Sequence, residues 1–289
     1  MDPDDDRLPY RLMLPARRTT SVIFASPHSG RDYPDAFLRR SVLDAQTIRS
    51  SEDAFIDRLL DPAPGLGAPL LAATVPRAYV DLNRAAEELD PALIEGARPV
   101  PHNPRVVSGL GVIPRVVAGG RAIRSGKMTL AEAEARIAGA WRPYHAALSA
   151  LMDESVASFG EAILIDVHSM PHEAVEGGSS RAPRPQIVLG DRFGATAAPD
   201  ILERIEEAFA VEGLTVSRNV PFAGAYVLQA HGRPSRGRHA VQIEIDRALY
   251  MDEALILPHA GYGAFALLMR RVLSRIVAMG VQEMPLAAE

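Results

Sequence analysis

The chain contains no cysteine, which excludes disulfide bonds, thiolate metal ligands and a cysteine nucleophile. It also has no run of about 18 consecutive apolar residues, so the sequence predicts no membrane span. The formal net charge is −5 at pH 7, and such a charge gives no indication of a nucleic-acid surface. The first residues, MDPDDDRLPY, are acidic where a signal peptide would be basic and apolar. We therefore expect a cytoplasmic protein.

Nucleotide-binding loops are missing as well. No Walker pattern occurs, and no GxGxxG follows a strand and opens a helix, so a nucleotide cofactor is not expected. Of the 289 residues, 47% are hydrophobic and 23% are charged, as in ordinary globular domains. Short apolar runs, including residues 78–80 and 224–229, predict strands, and they alternate with helical patterns, including one over residues 129–159. This alternation predicts a layered α/β fold with a largely parallel or mixed sheet.

The sequence indicates a single domain over residues 1–289, because no stretch has the composition of a linker. Residues 1–18 are predicted to form a flexible tail. Residues 85–126 are rich in proline and glycine and form an irregular insertion. So long an irregular segment in a compact domain is usually functional, for example as a lid.

The most informative stretch is AILIDVHSMP, residues 162–171. Its apolar start, Ala162 to Ile165, predicts a strand buried on both faces of a sheet. Asp166 and His168 then follow at what we expect to be the carboxyl end of the strand, where open α/β sheets bind their ligands. They are two residues apart and therefore point to the same side.

A second apolar run, SVIFA at residues 21–25, is followed by SPHSG and so ends near His28. Two strand-end histidines and one carboxylate would supply the three protein ligands of a catalytic zinc site. The nearest carboxylates are Glu52 and Asp53, at the start of a helix predicted over 51–60, and the spacing does not choose between them. Asp166 could orient a ligand imidazole. The alternative is that each histidine is an ordinary polar residue with satisfied hydrogen bonds.

The motif DLNR at residues 81–84 provides an amide beside a guanidinium. Asn83 and Arg84 are suited to binding a carboxylate, and Arg77 is a second candidate cation. The alternative is a turn that carries a surface arginine.

A lone glutamate, Glu244, lies inside the apolar strand predicted over HAVQIEI, residues 239–245. Such a carboxylate near an activated water can act as general base and pass the proton to a leaving amine. The alternative is a buried salt bridge, for which Arg247 is the nearby candidate.

With these residues in view, the chain resembles the N-formylglutamate amidohydrolase family, which is itself similar to zinc carboxypeptidases and aspartoacylases. The resemblance extends from about residue 22 to residue 273. Its marks, in order, are SPHSG (26–30), SEDAFIDRL (51–59), DLNR (81–84), SGLGVIPR (108–115), WRPYH (141–145), DVHSMP (166–171), IVLGDRFG (187–194), PFAGAY (221–226) and QIEIDRALYMDE (242–253). Nine motifs in one order are far more specific than any one of them.

The resemblance implies a three-layer α/β/α fold with a mixed central sheet, of the phosphorylase/hydrolase or zinc-exopeptidase kind. It also implies one divalent metal ion, with zinc expected. By motif, His28 and His168 match the histidine ligands, and Asp53 is preferred to Glu52 as the carboxylate ligand. Asn83 and Arg84 match a pair that binds the substrate carboxylate, and Glu244 matches the general base.

The implied reaction is hydrolysis of the N-formyl amide of an amino acid, with N-formyl-L-glutamate and water giving formate and L-glutamate in histidine degradation. Two alternatives stay open at this point. One is a zinc carboxypeptidase or an amidase that acts on a peptide-like substrate. The other is a catalytically silent binding module on the same fold. The expected partner is a small-molecule N-acyl amino acid substrate, with no nucleic acid and no membrane, and the oligomeric state is not specified by the sequence.

Overall fold

The computed structural model describes residues 8–98, 103–176 and 184–281. The helices are α1 (Asp35–Leu38), α2 (Ile56–Leu60), α3 (Pro104–Val107), α4 (Leu130–Arg136), α5 (Arg142–Phe159), α6 (Pro199–Ala210), α7 (Tyr226–His231) and α8 (Tyr262–Met279). The strands are β1 (Tyr10–Met13), β2 (Val22–Ser26), β3 (Leu70–Ala73), β4 (Ile94–Glu95), β5 (Val116–Val117), β6 (Arg121–Ala122), β7 (Met128–Thr129), β8 (Ala162–Met170), β9 (Ile187–Gly190), β10 (Val216–Arg218), β11 (Arg238–Asp246), β12 (Met251–Asp252) and β13 (Leu257–Pro258).

Seven of these strands form the central sheet, in the order β1-β3-β2-β8-β11-β9-β10. The pairs β1–β3 and β9–β11 are antiparallel, and the other four pairs are parallel. The long strands β8 and β11 lie side by side at the centre. The predicted mixed sheet is confirmed.

Helices cover both faces of this sheet, and side-chain alternation along β8 shows how. Ile163, Ile165 and Val167 belong to a core cluster with α2, α6 and α8. Leu164 points to the opposite face and belongs to a second cluster with α4, α5 and α7. The predicted three-layer α/β/α arrangement is therefore confirmed. Because side chains alternate along a strand, Asp166 and His168 lie on the same face as Leu164.

The flexible tail predicted for residues 1–18 is wrong for part of its length. Tyr10–Met13 forms β1, which pairs with Leu70–Ala73 at one edge of the sheet. The strand is ordered by its contacts, since Tyr10 packs on one core cluster and Met13 packs on the other. Residues 1–7 lie outside the described residues, and the single-domain organisation stays a prediction.

The helix predicted over residues 51–60 is shorter and later than expected. A 3₁₀ turn covers Thr47–Ser51, and α2 begins only at Ile56. Phe55 interrupts the helical path because its φ is +67°, in the left-handed region. Glu52 and Asp53 therefore lie in a loop between two helical segments, where the two side chains can point in different directions.

Two short strands predicted from apolar runs are also wrong. Residues 224–229 were expected to be a strand, but α7 occupies Tyr226–His231. Residues 78 and 79 lie in a turn, and residue 80 has no regular secondary structure. Runs of three to six apolar residues suit a buried helical turn as well as a strand, so periodicity alone does not separate them.

The helix predicted over residues 129–159 is present as α4 and α5, which a π-helical turn at Ile137–Trp141 joins. Thr129 caps α4, because its Oγ1 accepts the Glu132 N–H at 3.2 Å.

The described part of the insertion at residues 85–126 contains α3, three strands of two residues each and turns; residues 99–102 lie outside the described part. Within the described ranges, no helix combines the length and the apolar character that a bilayer crossing requires.

Candidate metal centre and active site

Three buried side chains from distant parts of the sequence meet at the carboxyl ends of the central strands. His28 follows β2, Asp53 lies in the loop before α2, and His168 lies in β8. The two Nδ1 atoms of the histidines are 3.1 Å apart, and Asp53 Oδ2 lies 3.0 Å from His168 Nδ1 and 3.5 Å from His28 Nδ1. These three residues form a group that could hold a metal ion. We call it the ligand group.

The other ring nitrogen of each histidine contacts a buried carboxylate. Asp81 Oδ1 lies 2.7 Å from His28 Nε2, and Asp166 Oδ2 lies 3.0 Å from His168 Nε2. A carboxylate accepts hydrogen bonds, so each neutral imidazole carries its proton on Nε2. Both Nδ1 lone pairs then point toward Asp53 Oδ2, and three lone pairs converge without a proton between them. This donor set fits a divalent cation such as Zn²⁺, whose histidine ligands usually donate their other N–H to a carboxylate.

Asp53 is held by contacts to its second oxygen. Ser169 Oγ donates to Asp53 Oδ1 at 3.1 Å, and Arg247 Nη2 donates to it at 3.2 Å. The same Arg247 nitrogen also donates to the Glu52 carbonyl at 2.8 Å. These bonds leave Oδ2 directed at the two histidines.

The ligand group attracts positive charge. Burial alone would raise the pKa of Asp53, but His168 and His28 outweigh it and hold that pKa well below its ordinary value. Burial alone would lower the pKa of His168, but Asp166 and Asp53 outweigh it and hold that pKa well above its ordinary value. A site that stabilises an added proton so strongly also favours a bound cation.

The structure separates the two carboxylates between which the sequence spacing could not choose. Glu52 binds Arg49, with distances of 3.0 Å for Nε–Oε1 and for Nη2–Oε2, and it accepts the Tyr33 hydroxyl at 2.8 Å. Its carboxylate is therefore occupied outside the ligand group, and Asp53 is the member of the group.

Glu244 faces the same space as His168, because β8 and β11 are parallel neighbours. In their register His168 lies opposite Glu244, and Asp166 lies opposite Gln242. Gln242 Nε2 donates to Glu244 Oε1 at 2.8 Å. Burial raises the pKa of Glu244 to about 7, with the positive charge of His168 acting against it. A carboxyl group with such a pKa can both accept and release a proton near neutral pH.

The alternative interpretation of Glu244, a buried salt bridge to Arg247, is wrong. Arg247 donates to Asp53 and to Ser169 instead. Within the described ranges, no ion pair joins Glu244 to a cation. Glu244 lines a cavity of about 590 Å³ whose walls also include all three members of the ligand group.

The candidate carboxylate-binding residues line the same cavity, but their side chains are already partly engaged. Arg77 Nε donates to Asp81 at 3.0 Å. Arg84 donates from Nε to the Leu110 carbonyl at 3.0 Å and from Nη1 to the Asn83 carbonyl at 2.8 Å. These bonds fix both guanidinium groups and leave further N–H donors on each.

The side-chain amide of Asn83 is hydrogen-bonded within the protein and is not free to bind a substrate carboxylate. It is 3% exposed, its Oδ1 accepts the Val227 N–H at 2.8 Å, and its Nδ2 lies 3.2 Å from His168 Nε2. Because His168 carries its own proton on Nε2, Asn83 Nδ2 donates instead to Gln242 Oε1 at 3.4 Å, and the amide joins the start of α7 to β11. This position makes it a support of the site as well as part of the cavity wall.

A family model for N-formylglutamate amidohydrolase matches residues 20–251, which include the ligand group, Glu244 and the cavity arginines. The chain belongs to the N-formylglutamate amidohydrolase family.

Curated relatives and solved structures agree with this membership. An N-formylglutamate deformylase from Pseudomonas aeruginosa is 32% identical over 240 residues, which cover 82% of this chain and 84% of the relative. One from Pseudomonas putida is 29% identical over 235 residues, covering 80% and 82%. The N-formylglutamate amidohydrolase of Ralstonia eutropha JMP134 has a TM-score of 0.88 at 35% identity, covering 95% of this chain and 99% of that one. A protein from Agrobacterium tumefaciens shares the fold, with a TM-score of 0.64 at 19% identity and coverage of 93% and 96%.

The sequence analysis did not assign three of the residues that support the ligand group directly. They are Asp81, Ser169 and Arg247. Asp81 holds His28, and the other two hold Asp53. Asp81 is the first residue of DLNR, and Ser169 directly follows His168. Both could therefore have been predicted as site residues from their neighbours in the sequence. Arg247 had no such signal, because its contact with Asp53 spans most of the chain.

Proposed function

We propose that this protein is a metal-dependent amidohydrolase that converts N-formyl-L-glutamate and water into formate and L-glutamate. Family membership supports the reaction class, and the names of the curated relatives support the substrate. The observation that carries the metal dependence is the convergence of two Nδ1 lone pairs and one carboxylate oxygen in a cavity that Glu244 also lines.

His28, Asp53 and His168 would hold the metal ion, for which we propose Zn²⁺. A divalent ion held there would supply Lewis-acid chemistry, by polarising the formyl carbonyl and lowering the pKa of water. Asp81 and Asp166 orient the two imidazoles, and Ser169 and Arg247 orient Asp53. These buried supports keep the ligand group in place before substrate arrives.

Glu244 is the proposed general base. Its carboxylate accepts a proton from the attacking water and then donates that proton to the amide nitrogen as the C–N bond breaks. Gln242 holds the carboxylate by one oxygen, which leaves the other oxygen for the proton transfer. The raised pKa suits both steps, because a base poised near neutral pH also makes an effective acid.

Arg84 and Arg77 are the proposed ligands of the substrate α-carboxylate. Both line the cavity, and the bonds that fix their guanidinium groups leave N–H donors for a charged acceptor. Asn83 contributes to substrate binding indirectly, because its backbone carbonyl accepts a hydrogen bond from Arg84 Nη1. Holding the α-carboxylate places the formyl carbon, three bonds from the carboxylate carbon, within reach of Glu244.

The experiment measures release of the free amino acid from each substrate, with formate measured in parallel and metal analysis of the same preparation. N-formyl-L-glutamate, N-acetyl-L-glutamate and a dipeptide are compared at equal concentration. Release of formate with a stoichiometric divalent ion supports the proposal. Preference for the dipeptide indicates a carboxypeptidase or amidase, and a protein that turns over none of the three is a binding module; either outcome contradicts it. A place in histidine degradation and a cytoplasmic location stay predictions.

A further inference from the structure

Four arginines line the cavity, and one of them differs from the rest. Arg77, Arg84 and Arg247 each donate hydrogen bonds to protein carboxylates or carbonyls. Arg105 also lines the cavity, yet within the described ranges no hydrogen bond or ion pair involves its guanidinium. An arginine side chain that faces a cavity without an acidic partner is available to an anionic ligand.

The backbone that carries Arg105 is well anchored although the side chain is exposed. Arg105 belongs to α3, whose preceding residue, Asn103, accepts the N–H groups of Arg105 and Val106 at 3.1 and 3.2 Å. Val106 is buried, and Arg115 Nη2 donates to the Val107 carbonyl at 3.1 Å at the other end of α3. The position of Arg105 in the cavity wall is therefore set by the insertion at residues 85–126.

Positive charge accumulates on this side of the cavity. Burial lowers the pKa of Arg84; Asp81 acts against this, while the charges of Arg77 and Arg105 lower the pKa further. Arg105 is thus near enough to Arg84 to repel it. A bound anion between them would relieve this repulsion.

A substrate with two carboxylates needs two cationic positions at different distances from the reacting bond. In N-formyl-L-glutamate the α-carboxylate is attached to the carbon that bears the reacting nitrogen, and the side-chain carboxylate lies three bonds beyond that carbon. Arg77 adjoins the ligand group, because its partner Asp81 contacts His28. Arg105 is exposed on α3, and within the described ranges no hydrogen bond or ion pair joins it to the ligand group or to the residues that support that group. We therefore assign it to the outer part of the cavity.

We propose that Arg105 binds the side-chain carboxylate and thereby determines the preference for acidic N-formyl amino acids. This inference rests on the proposed deformylase function and assigns a specificity residue within it. This assignment also gives a role to the irregular insertion at residues 85–126. The insertion carries the Arg105 guanidinium to the outer wall of the cavity, and the central strands form the cavity floor.

The test compares N-formyl-L-glutamate with N-formyl-L-glutamine, which has the same shape and lacks the second charge. For Arg105→Gln, we expect KM for N-formyl-L-glutamate to rise roughly 10- to 100-fold, the range for losing a charge-assisted hydrogen bond. We expect kcat for that substrate, and both constants for N-formyl-L-glutamine, to change less than about threefold. Arg105→Lys keeps the charge and should recover part of the loss.

Arg98→Gln is the matched control, because Arg98 lies in the same insertion, is exposed and does not line the cavity. Its kinetics should equal those of the unmodified protein with both substrates. Equal losses with both substrates in Arg105→Gln, or an unchanged preference for glutamate, would overturn the assignment of Arg105 and leave the deformylase function standing. Failure of the unmodified protein to release formate from either substrate would instead overturn the proposed function.

Discussion

Replacement of Asp81 by asparagine provides the sharpest test of how the ligand group is supported. Asp81 Oδ1 lies 2.7 Å from His28 Nε2 and accepts the Asn83 N–H at 2.8 Å, while Oδ2 accepts Arg77 Nε at 3.0 Å. Burial would raise the pKa of this carboxyl group, but His28 and the neighbouring arginines outweigh it and hold the pKa well below its ordinary value. Asp81 is therefore ionised at neutral pH, and Asp81→Asn removes a full charge without changing the shape of the side chain.

The amide would preserve one acceptor and lose the other. If the amide oxygen stays on His28, the NH₂ group meets the N–H of Arg77, and two donors face each other. The imidazole then keeps only a neutral acceptor, whose position Arg77 no longer fixes. Loss of such a support typically weakens metal affinity 10- to 100-fold, or by about 1.4–2.7 kcal/mol. We expect this loss for Zn²⁺, measured by competition with a chromophoric chelator and independently of any turnover.

Asp90→Asn is the control for the general cost of removing a buried carboxylate. Asp90 is 3% exposed and Asp81 is 1% exposed, and Asp90 pairs with Arg115 at 2.7 Å in the insertion. Each variant should lose about 1–3 kcal/mol of unfolding free energy, and only Asp81→Asn should lose Zn²⁺ affinity. Equal affinity in the two variants would refute the role given to Asp81.

Further predictions concern the ligand group, the base and the stability of the fold. Zn²⁺ at about 100 times its Kd should add about 2.7 kcal/mol to the unfolding free energy and raise Tm accordingly. Glu52→Gln should keep this rise in Tm, and Asp53→Asn should lose it. A rise that both variants keep would reject Asp53 as a ligand. Glu244→Gln should keep the Zn²⁺ stoichiometry and lower kcat roughly 10²- to 10⁴-fold, so formate release at the unmodified rate would exclude Glu244 as the base. His145 and His231 are buried, and burial lowers their pKa to about 3 and about 4. Because the unfolded chain takes up these protons from about pH 6.5 downward, unfolding free energy should fall by up to about 1.4 kcal/mol per pH unit for each histidine between pH 6.5 and pH 4. Urea midpoints that do not change over this interval would contradict the neutral state of both rings.

Local sequence patterns predicted the parts of the fold and site that depend on neighbours in the chain. The apolar run before Asp166 is long enough to identify a buried strand, and its alternation is enough to place Asp166 and His168 on one face. The run before His28 works in the same way. Both histidines could be proposed as partners because parallel strands end at one edge of a sheet.

Contacts between distant segments could not be predicted in this way. The choice of Asp53 over Glu52 depends on Arg49 and Tyr33 occupying the second carboxylate. The pairing of Arg247 with Asp53 links residues 194 positions apart. Arg49 is only three residues from Glu52, but Tyr33 and Arg247 reach Glu52 and Asp53 only after the sheet has assembled, and no local pattern encodes those two contacts.

Secondary structure was predicted least well where the runs are short. The strand expected at residues 224–229 is α7, whose first turn is fixed by the Asn83 side chain through the Val227 N–H. The helix expected from residue 51 is delayed by the left-handed conformation of Phe55. In both places a tertiary contact or a single backbone angle overrides the local propensity.

The pairing of β8 with β11 has a consequence for how this enzyme family can change its substrates. His168 and Glu244 sit opposite each other on adjacent strands, so the spacing between a proposed ligand and the proposed base is fixed by main-chain hydrogen bonds. Arg105 belongs to a separate segment that adds nothing to this ladder. Under the proposed role of Arg105, substitutions within residues 85–126 alter which amino acid is accepted, while the spacing of His168 and Glu244 on the two strands stays the same.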